Sequence, residues 1–268
     1  MTKRIGILGA AGRMGRMLIR ETLVRPDLAL VGGVERIDHP LIGADLGGLA
    51  GEAPCGVTLT DDAARLFAAA DAVIDFSAAG AVASHARLAA KGTAALIVGV
   101  TGLVGDDEVA LSEAATAVPV VVAANMSVGV NLLIGLTRRL AATLDAGYDI
   151  EIVEMHHRYK VDAPSGTALA IGAAAAAGRG VSLNDVAVRG RDGHTGPRAA
   201  GAIGFAVLRG GDVVGEHTVI FAAEGERLEL THKASSRALF AKGALRAAAW
   251  ACGQPAGRYG MDDVLGLA

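Results

Sequence analysis

Apolar and polar positions change period along the chain, and each change marks an element. Residues 3–8 read as a compact apolar strand opened by Lys3 and Arg4. A glycine-bearing turn follows, after which Met14, Met17, Leu18 and Leu23 recur at helical spacing as far as residue 24. A second apolar run, residues 28–34, ends at Glu35, and together these stretches predict a βαβ unit. Residues 37–60 are glycine-rich and irregular, which predicts mostly loop. The rhythm then resumes with helices over 62–70, 81–90 and 107–117 alternating with strands over 72–76, 95–98 and 118–123, before a long helix over 127–144. Alternating buried strands and helices imply a parallel sheet whose ligands sit at the carboxyl ends of the strands. Asp75-Phe76-Ser77, Gly99-Val100-Thr101-Gly102 and Ala124-Asn125-Met126-Ser127 should then lie along one edge.

Beyond residue 148 the pattern is that of a different layer. Ile150, Ile152 and Met155 stand among Asp149, Glu151 and Glu154, which reads as a strand, and residues 168–177 read as a helix. Strands over 202–208, 216–222 and 227–233 follow without intervening helices, the last two joined at Glu224-Gly225-Glu226. Residues 189–201 form a long polar, glycine-rich loop, expected to be mobile or an oligomer contact. An amphipathic helix over 236–251 and a polar tail close the chain. The fold class expected is α/β: a Rossmann-like parallel-sheet domain plus a second α+β domain with an open mixed sheet. The dinucleotide-binding domain is expected over 1–126, completed by the C-terminal helix within 237–268, with a substrate-binding and oligomerisation domain over 127–236.

Composition narrows what such a fold can do. With 52% apolar residues in 268, the chain can bury two cores without staples. A net charge of -3 and 3% aromatic residues exclude both the basic surface and the stacking platform that nucleic-acid binding needs. Cys55 and Cys252, far apart in sequence, suit a reducing cytoplasm better than a disulfide framework. The apolar run after Arg4 is broken by Gly6 and Gly9, too short for a signal-peptide core, and no apolar span reaches membrane length, so no membrane partner is expected.

Two places carry chemistry. In Gly9-Ala10-Ala11-Gly12-Arg13-Met14-Gly15, Gly9 turns the chain, Gly12 admits a pyrophosphate and Gly15 lets helix lie close on strand. The spacing is a variant of the usual dinucleotide fingerprint, but a strand precedes it, a helix follows, and Glu35 closes the next strand where it can accept from ribose hydroxyls. Arg36 beside it can pair with a 2'-phosphate, so both NADH and NADPH are expected. The second place lies between the strand near 150 and the helix near 168. There His156, His157, Arg158 and Lys160 gather on what reads as a loop, an anion site in the making. Pro164 stops helix, Ser165 is a good N-cap, and Gly166 and Thr167 offer backbone N–H groups at the positive helix end, where a carboxylate can be held. Adjacent histidines also suggest metal, but no third ligand stands at a usual spacing, so no metal is expected.

Taken together, G-A-A-G-R-M-G, V-E-R, G-V-T-G, A-N-M-S-V-G-V-N, E-M-H-H-R-Y-K-V-D-A-P-S-G-T-A-L, I-G-F-A-V-L-R-G-G-D-V-V-G-E-H-T and T-H-K-A-S-S-R closely resemble the 4-hydroxy-tetrahydrodipicolinate (dihydrodipicolinate) reductase family, over essentially the whole chain. The resemblance implies a cytoplasmic homotetramer of the diaminopimelate branch of lysine biosynthesis, using NADH or NADPH to reduce a small cyclic imine with two carboxylates. It implies His156 as proton donor or acceptor, Lys160 as proton donor, and His157, Ser165, Gly166 and Thr167 around the substrate. Gly9, Ala10, Ala11, Gly12, Arg13, Met14, Glu35, Arg36, Gly99, Val100, Thr101, Ala123, Ala124, Asn125 and Met126 would hold the cofactor. Val100, Ala124 and Met126 depart from the family's usual Thr, Pro and aromatic residue, the last removing a stacking surface near the nicotinamide. Two other readings compete. A nucleotide sensor or scaffold would have no need of the His156/Lys160 pair. A semialdehyde dehydrogenase would ordinarily use a cysteine nucleophile, and neither Cys55 nor Cys252 lies in a suitable motif.

Overall fold

The computed structural model describes residues 2–267, which divide into two compact units, Met1–Val128 with Ala238–Ala268, and Gly129–Arg237. In chain order the elements are β1 (Lys3–Leu8), α1 (Arg13–Leu23), β2 (Leu28–Val34), α2 (Leu46–Leu49), β3 (Leu59–Thr60), α3 (Ala63–Ala69), β4 (Ala72–Asp75), α4 (Ala79–Ala89), β5 (Ala95–Val98), α5 (Asp106–Ala114), β6 (Pro119–Val122) and α6 (Val128–Thr143). They continue with β7 (Asp149–His156), α7 (Gly166–Gly178), α8 (Leu183–Val186), β8 (Ala187–Val188), β9 (Ile203–Arg209), β10 (Gly215–Ala223), β11 (Glu226–Ala234), α9 (Ala238–Ala251), β12 (Gly257–Tyr259) and α10 (Met261–Leu265).

The first unit is a seven-stranded sheet in the order β12-β6-β5-β4-β1-β2-β3, with every pairing parallel. Strands buried on both faces read as continuous apolar runs, and Ala72–Asp75 and Ala95–Val98 are buried at every position. One face is covered by α1 and the alanine-rich α9, whose Ala241, Ala244, Ala247, Ala248 and Ala251 are wholly buried. Small side chains permit close approach: a Cβ on Gly243 would fall on the carbonyl oxygen of Met126. Hence the C-terminal helix belongs to the core of the N-terminal sheet.

The second unit is a mixed five-stranded sheet in the order β11-β10-β7-β9-β8. β7 pairs parallel with β9 and antiparallel with β10, which pairs antiparallel with β11. Strict alternation along β7 puts Ile150, Ile152, Glu154 and His156 on the buried face, where Ile150 and Ile152 share a core with Ile171, Ala175, Phe205, Val219 and Phe221.

The region over 37–60 is mostly loop, as expected, and within it lie α2, capped by the Asp45 carboxylate accepting from the Gly48 N–H at 3.0 Å, and the short edge strand β3. The tail supplies β12 as the sheet's outer strand and α10. The loop over 189–201 is tied down: Arg191 donates to both Glu151 oxygens at 2.9 and 3.0 Å, and Arg198 reaches Glu151 and Asp149 at 2.9 and 2.6 Å. These anchors lie far from the loop in sequence, so local composition does not reveal them.

Candidate active site

In the first unit the glycine-rich turn joins β1 to α1. Gly9 has φ of 72°, which a Cβ would strain. A Cβ on Gly15 would stand 2.2 Å from the Gly9 carbonyl oxygen, so the helix can start this close to the strand only with glycine there. The turn's amides divide into two sets. Gly9 and Ala10 both donate to the Val34 carbonyl at 2.9 and 3.1 Å, Gly12 donates to Gly9 at 3.1 Å, and Ala11 donates to the Glu35 carboxylate at 3.1 Å. Those of Arg13 and Met14, in the first turn of α1, lie outside the intrahelical ladder, and the N-cap Gly12 has no side chain to satisfy them. Free amides at a helix N-terminus have the geometry and the positive dipole end that suit an anion. Within the turn, Ala10 is fully buried and its amide is engaged by Val34.

Beside the turn a cavity of about 430 Å³ is lined by Gly9, Gly12, Glu35, Arg36, Ile37, Phe76, Ser77 and His85 among others. Glu35 thus faces the cavity while bracing the turn, and Arg36 stands exposed at its rim. Gly99 and Val100 follow β5, half-buried, and Thr101 is exposed; a Cβ on Gly99 would collide with the Phe76 ring. Ala123 continues β6 by donating to the Val98 carbonyl at 3.1 Å, with Ala124 exposed and Asn125 accepting from the Ser127 N–H at 2.9 Å. Met126 is different. Its side chain is 1% exposed, packed in the core with α9, so only its backbone can border a ligand. Unforeseen in the sequence was the buried Asp75, which accepts from the Ser77 N–H and hydroxyl at 2.9 and 2.6 Å and lies 2.7 Å from the His85 ring.

In the second unit His156 is not on a loop: it is the last residue of β7, on its buried face. Its Nδ1 lies 2.5 Å from Glu154, two residues earlier on the same face. The Glu154 carboxylate also accepts both Arg209 guanidinium nitrogens at 2.8 and 2.9 Å and the Ser165 N–H at 3.0 Å. Burial opposes its ionisation, but Arg209, His156 and Ser165 together hold its pKa below the ordinary range. Burial lowers the His156 pKa; Glu154 opposes this, and the charges of Lys160 and Arg209 reinforce it.

His157, Arg158 and Lys160 occupy the loop after the strand. The His157 N–H donates to the Val213 carbonyl at 2.7 Å, and its Nδ1 is buried without a protein partner. Lys160 Nζ is held by both Asp162 oxygens at 2.7 and 2.8 Å. Ser165, 2% exposed, is the N-cap of α7: its hydroxyl accepts the Ala168 N–H at 3.1 Å and lies 3.1 Å from His217 Nε2. Its hydroxyl and amide thus both have partners within the protein. Gly166, exposed and with open space around its Cβ position, starts the helix, followed by the half-buried Thr167. His217 meets His156 edge to face with ring centroids 5.1 Å apart, and burial drives its pKa down to about 4.

Glu154, Arg209 and His217 escaped sequence reasoning. For Glu154 a signal existed, because period-two alternation puts residues 154 and 156 on one face. For Arg209 and His217 only the pairing of β7 with β9 and β10 makes the connection.

The family described as "Dihydrodipicolinate reductase, N-terminus" matches residues 3–126, and "Dihydrodipicolinate reductase, C-terminus" matches 129–265. The chain belongs to the dihydrodipicolinate reductase family. It is 57% identical over 264 residues to the 4-hydroxy-tetrahydrodipicolinate reductase of Dinoroseobacter shibae, covering 98% of each chain. It is 55% identical over 265 residues to that of Parvibaculum lavamentivorans, again covering 98% of each. Among solved structures, a dipicolinate-bound dihydrodipicolinate reductase from a Paenisporosarcina species superposes with a TM-score of 0.77 at 22% identity, covering 99% of this chain and 100% of that one. The expected α/β fold with its second mixed sheet is borne out by the strand orders and by that likeness. The expected NAD(P)H-dependent reductase is borne out by the relatives, none of which supports a non-catalytic sensor.

Proposed function

We propose that the chain performs its relatives' reaction, reducing 4-hydroxy-tetrahydrodipicolinate to tetrahydrodipicolinate with NADH or NADPH, through the residues described above. The observation that carries this division of roles is the second unit's arrangement: a buried, carboxylate-bound His156 and the cationic Lys160 on the segment leading straight to the N-terminus of α7. The pyrophosphate would rest on the first turn of α1, with Glu35 toward the ribose and Arg36 toward a 2'-phosphate. With the C4 hydroxyl lost as water, the imine is conjugated with a ring C=C, and the nicotinamide cofactor, when bound, would supply a hydride to that conjugated system. The electrons then collect on the ring nitrogen, Lys160 delivers the proton it gains, and tautomerisation restores the C=N of tetrahydrodipicolinate. His157, Gly166 and Thr167 hold a substrate carboxylate by charge and backbone dipole.

The deciding experiment follows oxidation of NADH and NADPH with freshly generated hydroxy-tetrahydrodipicolinate; the reading requires turnover with at least one of them, and none with either would refute it. A homotetramer is part of this proposal, supported by the uncovered side of the mixed sheet, where Leu208 is 50% exposed. Light scattering that gave a monomer's mass at micromolar concentration would contradict it. The unpaired Cys55 and Cys252 support a cytoplasmic location. No helix among the described residues is long and apolar enough to cross a membrane.

A further inference from the structure

Glu154 is the most heavily engaged carboxylate among the described residues of the second unit. Its carboxylate is 1% exposed and lies within hydrogen-bond distance of four nitrogens: His156 Nδ1 at 2.5 Å, the two Arg209 nitrogens at 2.8 and 2.9 Å, and the Ser165 amide at 3.0 Å. An ionised carboxylate only accepts, so the proton between Glu154 and His156 belongs to the ring. With Nδ1 protonated, a neutral imidazole carries its lone pair on Nε2. That nitrogen points toward Gly215, the first residue of β10, where a Cβ would stand 3.0 Å away. Glycine at this position leaves the nitrogen uncovered.

Arg209 makes this carboxylate differ from a simple orienting acid. A lone buried carboxylate beside a histidine would favour the imidazolium. Here the bidentate guanidinium cancels that charge, and the same guanidinium donates to the Asp162 carbonyl at 2.7 Å, next to the acid that holds Lys160. The charged and titratable groups around the ring are therefore Glu154 on its own strand, Arg209 on β9, His217 on β10, and Lys160 with its partner Asp162 on the loop. Each carboxylate among them is matched by a cation, Glu154 by Arg209 and Asp162 by Lys160.

We infer that Glu154 and Arg209 are positioning residues that fix His156 as the neutral Nδ1–H tautomer, so that His156 acts as an acceptor at Nε2 and the proton donor is another group. The Ser165 amide on the same carboxylate ties the start of α7 to this arrangement, so one side chain registers the acceptor against the anion-binding helix. The partner recognised at Nε2 is a proton-bearing group of the bound molecule, a hydroxyl or a protonated ring nitrogen. This rests on the reductase reading for its place in the reaction, but not for its test.

The test reads the tautomer directly, by long-range proton–nitrogen correlation spectra of the histidine-labelled full chain. In the wild type at pH 7, His156 should show a protonated Nδ1 and a bare Nε2. An Nε2–H tautomer or an imidazolium there would overturn the inference without any variant. Glu154→Gln should lose the enforced tautomer and lower kcat at least roughly tenfold with the KM for NADH unchanged, and Glu154→Asp should recover part of the rate. Arg209→Met should raise the His156 titration by about one pH unit or more, moving the acid limb of the kcat profile with it. Wild-type kcat, tautomer and limb retained in Glu154→Gln would overturn the proposal, as would an unmoved His156 titration in Arg209→Met. Should either variant fold poorly, the wild-type tautomer decides. Absence of reductase turnover in the wild type would instead sink the functional reading, and the spectra would still report on Glu154.

Discussion

His217 should make the second unit acid-labile by an amount that its surroundings allow to be worked out. The ring is 3% exposed and its pKa is lowered to about 4, first by burial and then by the charge of His156. In the unfolded chain a histidine titrates near 6.5. The folded state therefore binds fewer protons than the unfolded state between those values, and stability must fall as pH falls through that window. Integrating the proton difference from pH 7 gives a loss of about 2 kcal/mol by pH 5 and about 3 kcal/mol by pH 4. His156 and His232 are lowered in the same sense and Glu154 loses its ion pair in acid, so the wild type alone cannot isolate the term. The comparison with His217→Gln does. Urea unfolding followed by circular dichroism at pH 7, 6, 5 and 4 should show the wild type losing about 3 kcal/mol more than the variant across that range. Parallel slopes for the two proteins would refute the reasoning, because a ring that keeps its proton affinity on folding cannot couple stability to pH.

Lys160→Ala should lower kcat roughly a hundredfold or more while NADH affinity and fold hold, since the ion pair with Asp162 is partly exposed and worth at most about 1 kcal/mol; steady-state kinetics with an unchanged kcat would remove the donor role. Arg36→Ala should weaken NADPH more than NADH and Glu35→Ala the reverse, each by about 1 to 2 kcal/mol in titrations of the free enzyme, and equal losses in both variants would contradict the assignment. Gly15→Ala should destabilise the first unit by about 1 to 3 kcal/mol and weaken both cofactors, because the new Cβ would meet backbone atoms of Gly9 and Ala10 at 2.2 and 2.6 Å. Gly12→Ala, whose nearest contact is 3.2 Å, should unfold close to the wild-type temperature, and thermal melts of both proteins check the contrast.

What was legible in the sequence was whatever physics writes locally. The βαβ opening could be read because Gly9, Gly12 and Gly15 each answer a local steric demand, and the strands β1, β4 and β5 because burial on both faces leaves no polar alternation. The tail was illegible for the opposite reason. Gly257–Tyr259 has no pattern of its own and becomes a strand only because β6 offers an open edge to it. Met126 shows the same limit, since Ala124 two residues earlier is exposed while the Met126 side chain turns into the core with α9. Proximity in sequence to a ligand motif carries no information about where a side chain points.

The site itself divides along that line. His156, His157 and Lys160 announce themselves by type and spacing, whereas the groups that would set their behaviour come from elsewhere: Arg209 from β9 and His217 from β10. Burying Glu154 without Arg209 would strand a carboxylate in the core at a cost of several kcal/mol, and burying it with Arg209 alone would leave its orientation free. The Ser165 amide and His156 Nδ1 complete its coordination and so fix the ring. On the proposed reading the result is a separation of duties between two nitrogens four residues apart. Lys160 is paired with the partly exposed Asp162, while His156, paired with a carboxylate already neutralised by Arg209, has no charge left over to hold a second proton. Two basic side chains of similar chemistry thus become a donor and an acceptor through what surrounds them, and exchanging the partners, by placing the uncompensated acid beside the histidine, would exchange the roles.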